Sequence, residues 1–211
     1  MFSNAPIAKV ADTILVVAVP EALGVRSVSE FVEASRANPN SINLAGATGL
    51  PEFAIDALIK KERLKSVRVP YKDLAAAARD LAENRIQFLL TSYASVRPLV
   101  ESGKIRIVAA GSRDRSPVLK DVPSIPESGY PVLAMETSVT IFGHQNMPIE
   151  IRKKIAYDVQ EVLTDPKIRQ RIELTGQDVR PAGPDELALV LKRQFTYAAS
   201  IAKELGLDPG R

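Results

Sequence analysis

The sequence predicts an α/β fold in two lobes, one of them short of sheet. Three observations carry that reading. The chain has 211 residues, 45% of them apolar and 25% charged, enough for one large domain or two lobes of about 100 residues with a real core. From Thr13 to Gly111, short β-branched runs alternate with stretches of helical period. After Ser112 the texture changes to proline-punctuated chain followed by long helices.

Thr13–Val19 is a short apolar run rich in β-branched residues and reads as a buried strand. Ser27 and Glu30 form a capping-box pattern opening a helix with Val28, Phe31 and Val32 on one face. Ser41–Gly46 is the next strand, and Pro51 suits the first turn of a helix carrying Phe53, Ile55, Leu58 and Ile59. Ser66–Tyr71 is a strand, with Asp73 the N-cap of a helix over Leu74–Glu83. Ile86–Thr91 is a strand, Ala94–Glu101 a helix stopped by Gly103, and Lys104–Gly111 a strand. Strands separated by helices imply right-handed crossovers and a largely parallel sheet.

Arg113–Pro126 holds three prolines and reads as a crossing connection. Val132–Phe142 is one long extended run. Helices follow from Pro148 to about Thr164, from Pro166 to Thr175, and from Pro184 to Leu205 with Gly206 as the stop. A complete α/β lobe is thus expected over residues 22–122. Residues 1–21 and 123–211 build the second lobe, with three large helices and few strands.

Composition narrows the chemistry. With no cysteine, disulfides, thiolate metal ligands and thiol nucleophiles are excluded. The net charge is only +3, and the basic residues are scattered rather than set in a stripe, so no nucleic-acid partner is expected. The apolar run stops at Pro20, far short of the roughly 20 residues that span a bilayer. Asp12 abuts that run and no small-x-small cleavage site follows, so no export signal is expected. The single histidine, His144, has no Gly-x-Ser-x-Gly partner, and the dispersed carboxylates match no metal-binding spacing. No catalytic residue, metal or cofactor is expected.

What remains is a set of loops suited to binding. Leu44–Pro51 follows a strand and opens a helix, placing Ala47, Thr48 and Gly49 where free N–H groups and the positive helix end attract anions. An ordinary βα turn has the same sequence. Tyr71 and Lys72 lie at a second strand end, Thr91, Ser92 and Tyr93 at a third, and Thr137 and Ser138 on the extended run. Hydroxyls and backbone N–H groups without a strong base suit holding a carboxylate better than transforming it.

Val69-Pro-Tyr-Lys72, Ser95–Arg106 and the long connection Ser112–Pro131 resemble the periplasmic solute-binding proteins of the tripartite tricarboxylate transporter system, the TctC-like or Bug receptors. The resemblance runs from about Asn4 to Leu207. It implies a two-lobed, type II periplasmic-binding-protein fold that grips a di- or tricarboxylate or an acidic amino acid and hands it to a membrane permease. Carried over by position, the ligand-binding residues are Ala47, Thr48, Gly49, Tyr71, Asp73, Thr91, Ser92, Thr137 and Ser138. Three departures stand out. The family carries a first βαβ unit and a Pro-Gly-Gly loop ahead of the point where this chain begins, so one lobe is expected to be incomplete. Asp73 replaces a glycine and would oppose a bound carboxylate unless it faces away. Val139 stands where a tryptophan is usual. The resemblance implies periplasmic localisation, whereas the chain as it starts would be cytoplasmic. A shortened, binding-impaired paralogue that associates through an exposed sheet edge, a homo-oligomer included, is the alternative. A sensing module is a third.

Overall fold

The computed structural model describes residues 4–111 and 113–207; Ser112, at the head of the third signature, lies outside them. In chain order the elements are β1 (Asn4–Thr13), β2 (Leu15–Pro20), α1 (Val28–Ala37), β3 (Asn43–Gly46), α2 (Leu50–Lys61), β4 (Val67–Arg68), α3 (Leu74–Ala82), β5 (Phe88–Ser92), α4 (Tyr93–Glu101), β6 (Ile105–Ala110), β7 (Ser138–His144), α5 (Ile149–Val162), α6 (Pro166–Glu173), β8 (Gln177–Asp178) and α7 (Pro184–Leu205). The chain divides into two compact units. One is Met1–Thr13 with Glu136–Thr196; the other is Ile14–Met135 with Tyr197–Arg211. The α/β lobe is therefore wider than residues 22–122. It takes in β2, the segment up to Met135 and the C-terminal half of α7.

The larger unit is built on a five-stranded sheet in the order β4-β3-β5-β2-β6. β3 runs parallel to β4 and β5, but β2 is antiparallel to both β5 and β6. The four helix-separated strands β3 to β6 therefore share one direction, as the alternation predicts, and β2 is the reversed strand among them. The chain enters β2 from the other unit at Ile14 rather than through a helical crossover, so the crossover rule does not fix its direction. Every residue of β2 is buried. Leu15, Val17 and Val19 join the core with α1 and α2, while Val16 and Ala18 join the core with α3 and α4. The period of two thus supplies both faces of a three-layer α/β/α arrangement.

The local devices follow the sequence closely. Ser27 accepts the Glu30 N–H at 3.1 Å, but Glu30 closes the cap by accepting the Arg26 N–H rather than that of Ser27. β4 is only two residues long, because Pro70 lacks an N–H and an edge strand gains little from extension. On the α1 side, Phe31 and Phe88 are fully buried with ring centroids 4.7 Å apart. The extended run Val132–Phe142 is interrupted. Pro131–Leu133 is a single 3-10 turn, Leu133 and Met135 are buried in the larger unit, and β7 begins only at Ser138.

The smaller unit has a three-stranded sheet, β7-β1-β8, with β1 antiparallel to both neighbours. Register shifts between Pro6 and Ala8 and between Lys9 and Ala11 interrupt the long β1–β7 ladder. Ile7, Ala8 and Ala156 form a small core packed by Ile141, Met147, Ile155 and Val159. The shortage of sheet expected from the pattern is present among the described residues. No described helix is long and apolar enough to cross a membrane.

Truncating Phe31 removes one side of the Phe31–Phe88 contact and leaves a void beneath α1. Phe31→Ala is expected to lower stability by about 3–5 kcal/mol, read from the midpoint of urea unfolding. A loss below 1 kcal/mol would show that the α1 layer does not support the sheet.

Candidate functional site

The carboxyl ends of β4, β3 and β5, adjacent in the sheet, place three loops of the larger unit side by side. The β3–α2 turn is the tightest. A Cβ on Gly46 would lie 2.9 Å from the carbonyl carbon and oxygen of Pro51, so only glycine lets α2 start this close to the strand. Gly49 has φ of 97° and caps α2 without a side chain. The Ala47 N–H donates to the Leu90 carbonyl at 2.9 Å, fixing this turn to the end of β5. The N–H groups of Thr48 and Gly49 have no protein partner among the described residues. They lie at the positive end of a 12-residue helix.

The second loop precedes α3. Asp73 does not behave as a ligand-facing acid. One oxygen accepts the Ala75 N–H at 2.9 Å as the α3 cap, and the other lies 3.9 Å from Arg79. Its charge is directed at its own helix. The Tyr71 hydroxyl donates to Asp80 at 2.6 Å. Burial, together with that bond to a carboxylate, pushes the phenol up to about 12. The Tyr71 carbonyl accepts the Thr48 hydroxyl at 3.3 Å, joining the first two loops.

At the third strand end, Thr91 is fully buried and its hydroxyl has no partner among the described residues. It presents no surface to a ligand. Ser92 is half-buried and its hydroxyl shares a hydrogen bond with that of Ser95 at 2.7 Å. Thr137 and Ser138 belong to the smaller unit. Thr137 exchanges backbone and side-chain bonds with Thr13, and the Ser138 hydroxyl accepts from Gln194 at 3.3 Å. His144 ends β7 and its Nδ1 accepts the Asn146 N–H, a turn-capping role.

The paired charges of the smaller unit were not legible in the sequence. Lys9 is buried and donates to both oxygens of Asp12, at 2.9 and 3.1 Å. Arg193 holds Glu136 in a two-bond fork at 2.9 and 3.1 Å. Asp178 on β8 sits directly across from Asp12 on β1, which sets like charges opposite each other. Burial pushes the Asp178 carboxyl up from the ordinary aspartate value; Arg180 at 2.7 Å opposes the shift and Asp12 adds to it. No spacing rule connects residues 12 and 178, so only the sheet register brings them together. Among the described residues no cluster of acids and histidine is arranged to hold a metal ion.

A three-layer α/β/α unit with its candidate loops at one sheet edge, in a chain with a second sheet unit, has the plan of a type II periplasmic binding protein. The profile of the tripartite tricarboxylate transporter family receptor, TctC, matches residues 3–207. The chain belongs to that family. It is 24% identical over 193 residues to a UPF0065 protein encoded in the tcbD–tcbE intergenic region of a Pseudomonas species, covering 90% of this chain and 57% of the relative. An R. palustris protein solved with adipate superposes with a TM-score of 0.79 at 23% identity, covering 97% of this chain and 69% of that one. MatC from Rhodopseudomonas palustris, solved with bound malate, gives a TM-score of 0.72 at 21% identity, covering 94% and 69%. The chain spans about three-fifths of the length of the curated relatives it matches.

Two outcomes follow from these side chains. Asp73→Ala removes the α3 cap and is expected to cost about 1 kcal/mol, while Asp73→Ser retains most of it; equal melting points for the two variants would deny the cap. Because folding raises the Asp178 carboxyl, the native state takes up its proton at higher pH than the unfolded chain. Its burial therefore opposes folding at neutral pH, and this burden lifts as pH falls through the raised value. Asp178→Asn is expected to flatten that part of the stability profile, measured by urea unfolding at a series of pH values. Arg180→Ala is expected to deepen it.

Proposed function

We propose that this chain is the solute-binding receptor of a tripartite tricarboxylate transporter, taking a small carboxylate and passing it to the membrane permease. The observation that carries the reading is the pair of unpartnered N–H groups, Thr48 and Gly49, at the positive end of α2. Two such donors beside a helix terminus match the acceptor-only chemistry of a carboxylate. Asp73, whose charge would oppose that ligand, is turned onto α3 and Arg79. Ala47 anchors the loop to β5 through its N–H, and the Ser92 hydroxyl lies at the neighbouring strand end. Tyr71 supports the loop through its carbonyl instead of meeting the ligand with its hydroxyl.

The adipate and malate bound to two structural relatives make C4–C6 dicarboxylates the first ligands to test, with citrate, aspartate and glutamate beside them. Family membership supports a periplasmic location and a permease partner.

The test is a thermal melt of the purified chain with that panel. A ligand at 100 times its dissociation constant adds about 2.7 kcal/mol, and for a chain of this size that raises the melting temperature by roughly 5–10 °C. A shift with one acid of the panel supports the receptor. A cooperative melt that no acid moves would leave an interaction protein as the better account.

A further inference from the structure

Resting on the receptor reading, the geometry points to Asp80 as a positioning residue that holds the Thr48–Gly49 loop in place through Tyr71. Asp80 lies in the last turn of α3, and the Tyr71 side chain reaches it from the residue pair ahead of that helix. One Asp80 oxygen accepts the Tyr71 hydroxyl at 2.6 Å and the other accepts Arg85 at 3.0 Å. Arg85 also pairs with Glu83 at 2.7 Å, and its own N–H donates to the Asp80 carbonyl at 2.8 Å. The carboxylate is therefore held by two donors, the Tyr71 hydroxyl from ahead of α3 and Arg85 from the turn that leads into β5.

At the other end of the phenol, the Tyr71 backbone carries the constraint onward. Its carbonyl receives the Thr48 hydroxyl, and the N–H groups of Thr48 itself and of Gly49 are those left for a ligand. The ring packs against the α3 core, so its hydroxyl end and its backbone end are fixed independently. A hydrogen bond between a phenol and a carboxylate is charge-assisted and stronger than a neutral one. Losing it frees the turn before α3, and with it the acceptor that orients Thr48. None of these residues is required to touch the ligand.

The experiment compares wild type with Asp80→Asn, Asp80→Glu and Tyr71→Phe. Hydrogen–deuterium exchange over residues 44–52 reads the loop without any ligand. Isothermal titration with adipate and with malate reads the consequence. Asp80→Asn and Tyr71→Phe are expected to speed exchange in that segment and to weaken binding about tenfold, the effect of one lost charge-assisted bond. Asp80→Glu is expected to restore part of both. Ultraviolet titration should show a phenol near 12 in wild type that falls in Asp80→Asn and is absent from Tyr71→Phe. Unchanged exchange and unchanged affinity in Tyr71→Phe, which keeps the ring and so keeps the packing, would overturn the assignment even with wild type binding acids. A wild type that binds no acid of the wider panel overturns the receptor reading, and the exchange comparison still decides the role of Asp80.

Discussion

The burial of β2 on both faces is the constraint on which the larger unit depends. Six consecutive residues, Leu15 to Pro20, are removed from water, and their alternate side chains enter two separate cores. A strand so placed must be central, since each edge position leaves backbone groups unpaired. β5 and β6 take the two sides of β2, and β3 and β4 extend the sheet beyond β5. The antiparallel direction of β2 brings its first residue to the same sheet edge as the carboxyl ends of β3, β5 and β6. The Ile14 carbonyl accepts the Tyr93 N–H there, and the Leu15 carbonyl accepts that of Gly111. The candidate loops therefore stand at the edge where the chain enters the unit.

That edge is polar by arrangement and not by charge. Its donors are backbone N–H groups set by Gly46 and Gly49, and its hydroxyls are largely engaged with neighbouring protein groups. Fixed dipoles of this kind cost no side-chain ordering when an anion is bound. The Asp73 substitution fits this scheme, because a capping carboxylate stabilises α3 without projecting its charge toward α2.

The smaller unit manages its charges differently. Lys9 and Asp178 are buried in or beside β1, each with an opposite partner, and the like pair Asp12 and Asp178 is set face to face. Buried pairs of this kind contribute little net stability, but removing one partner is costly. Among the described residues the core cluster of this unit, Ile7, Ala8 and Ala156, is far smaller than the two that flank β2.

The sequence by itself determined the helices, their caps and most strands of the larger unit. These rest on local spacing, as with Ser27, Pro51, Asp73 and the Gly103 stop, and local chemistry is legible in order along the chain. It also determined the family, through signatures that lie between Val69 and Pro131. The tertiary structure alone decided the direction of β2, the break in the extended run at Pro131–Leu133, and the burial of Thr91. It alone joined Tyr71 to Asp80, and Asp12 to Asp178. Each of these depends on which distant segments lie side by side, and a one-dimensional pattern of apolar and polar residues holds no record of that pairing.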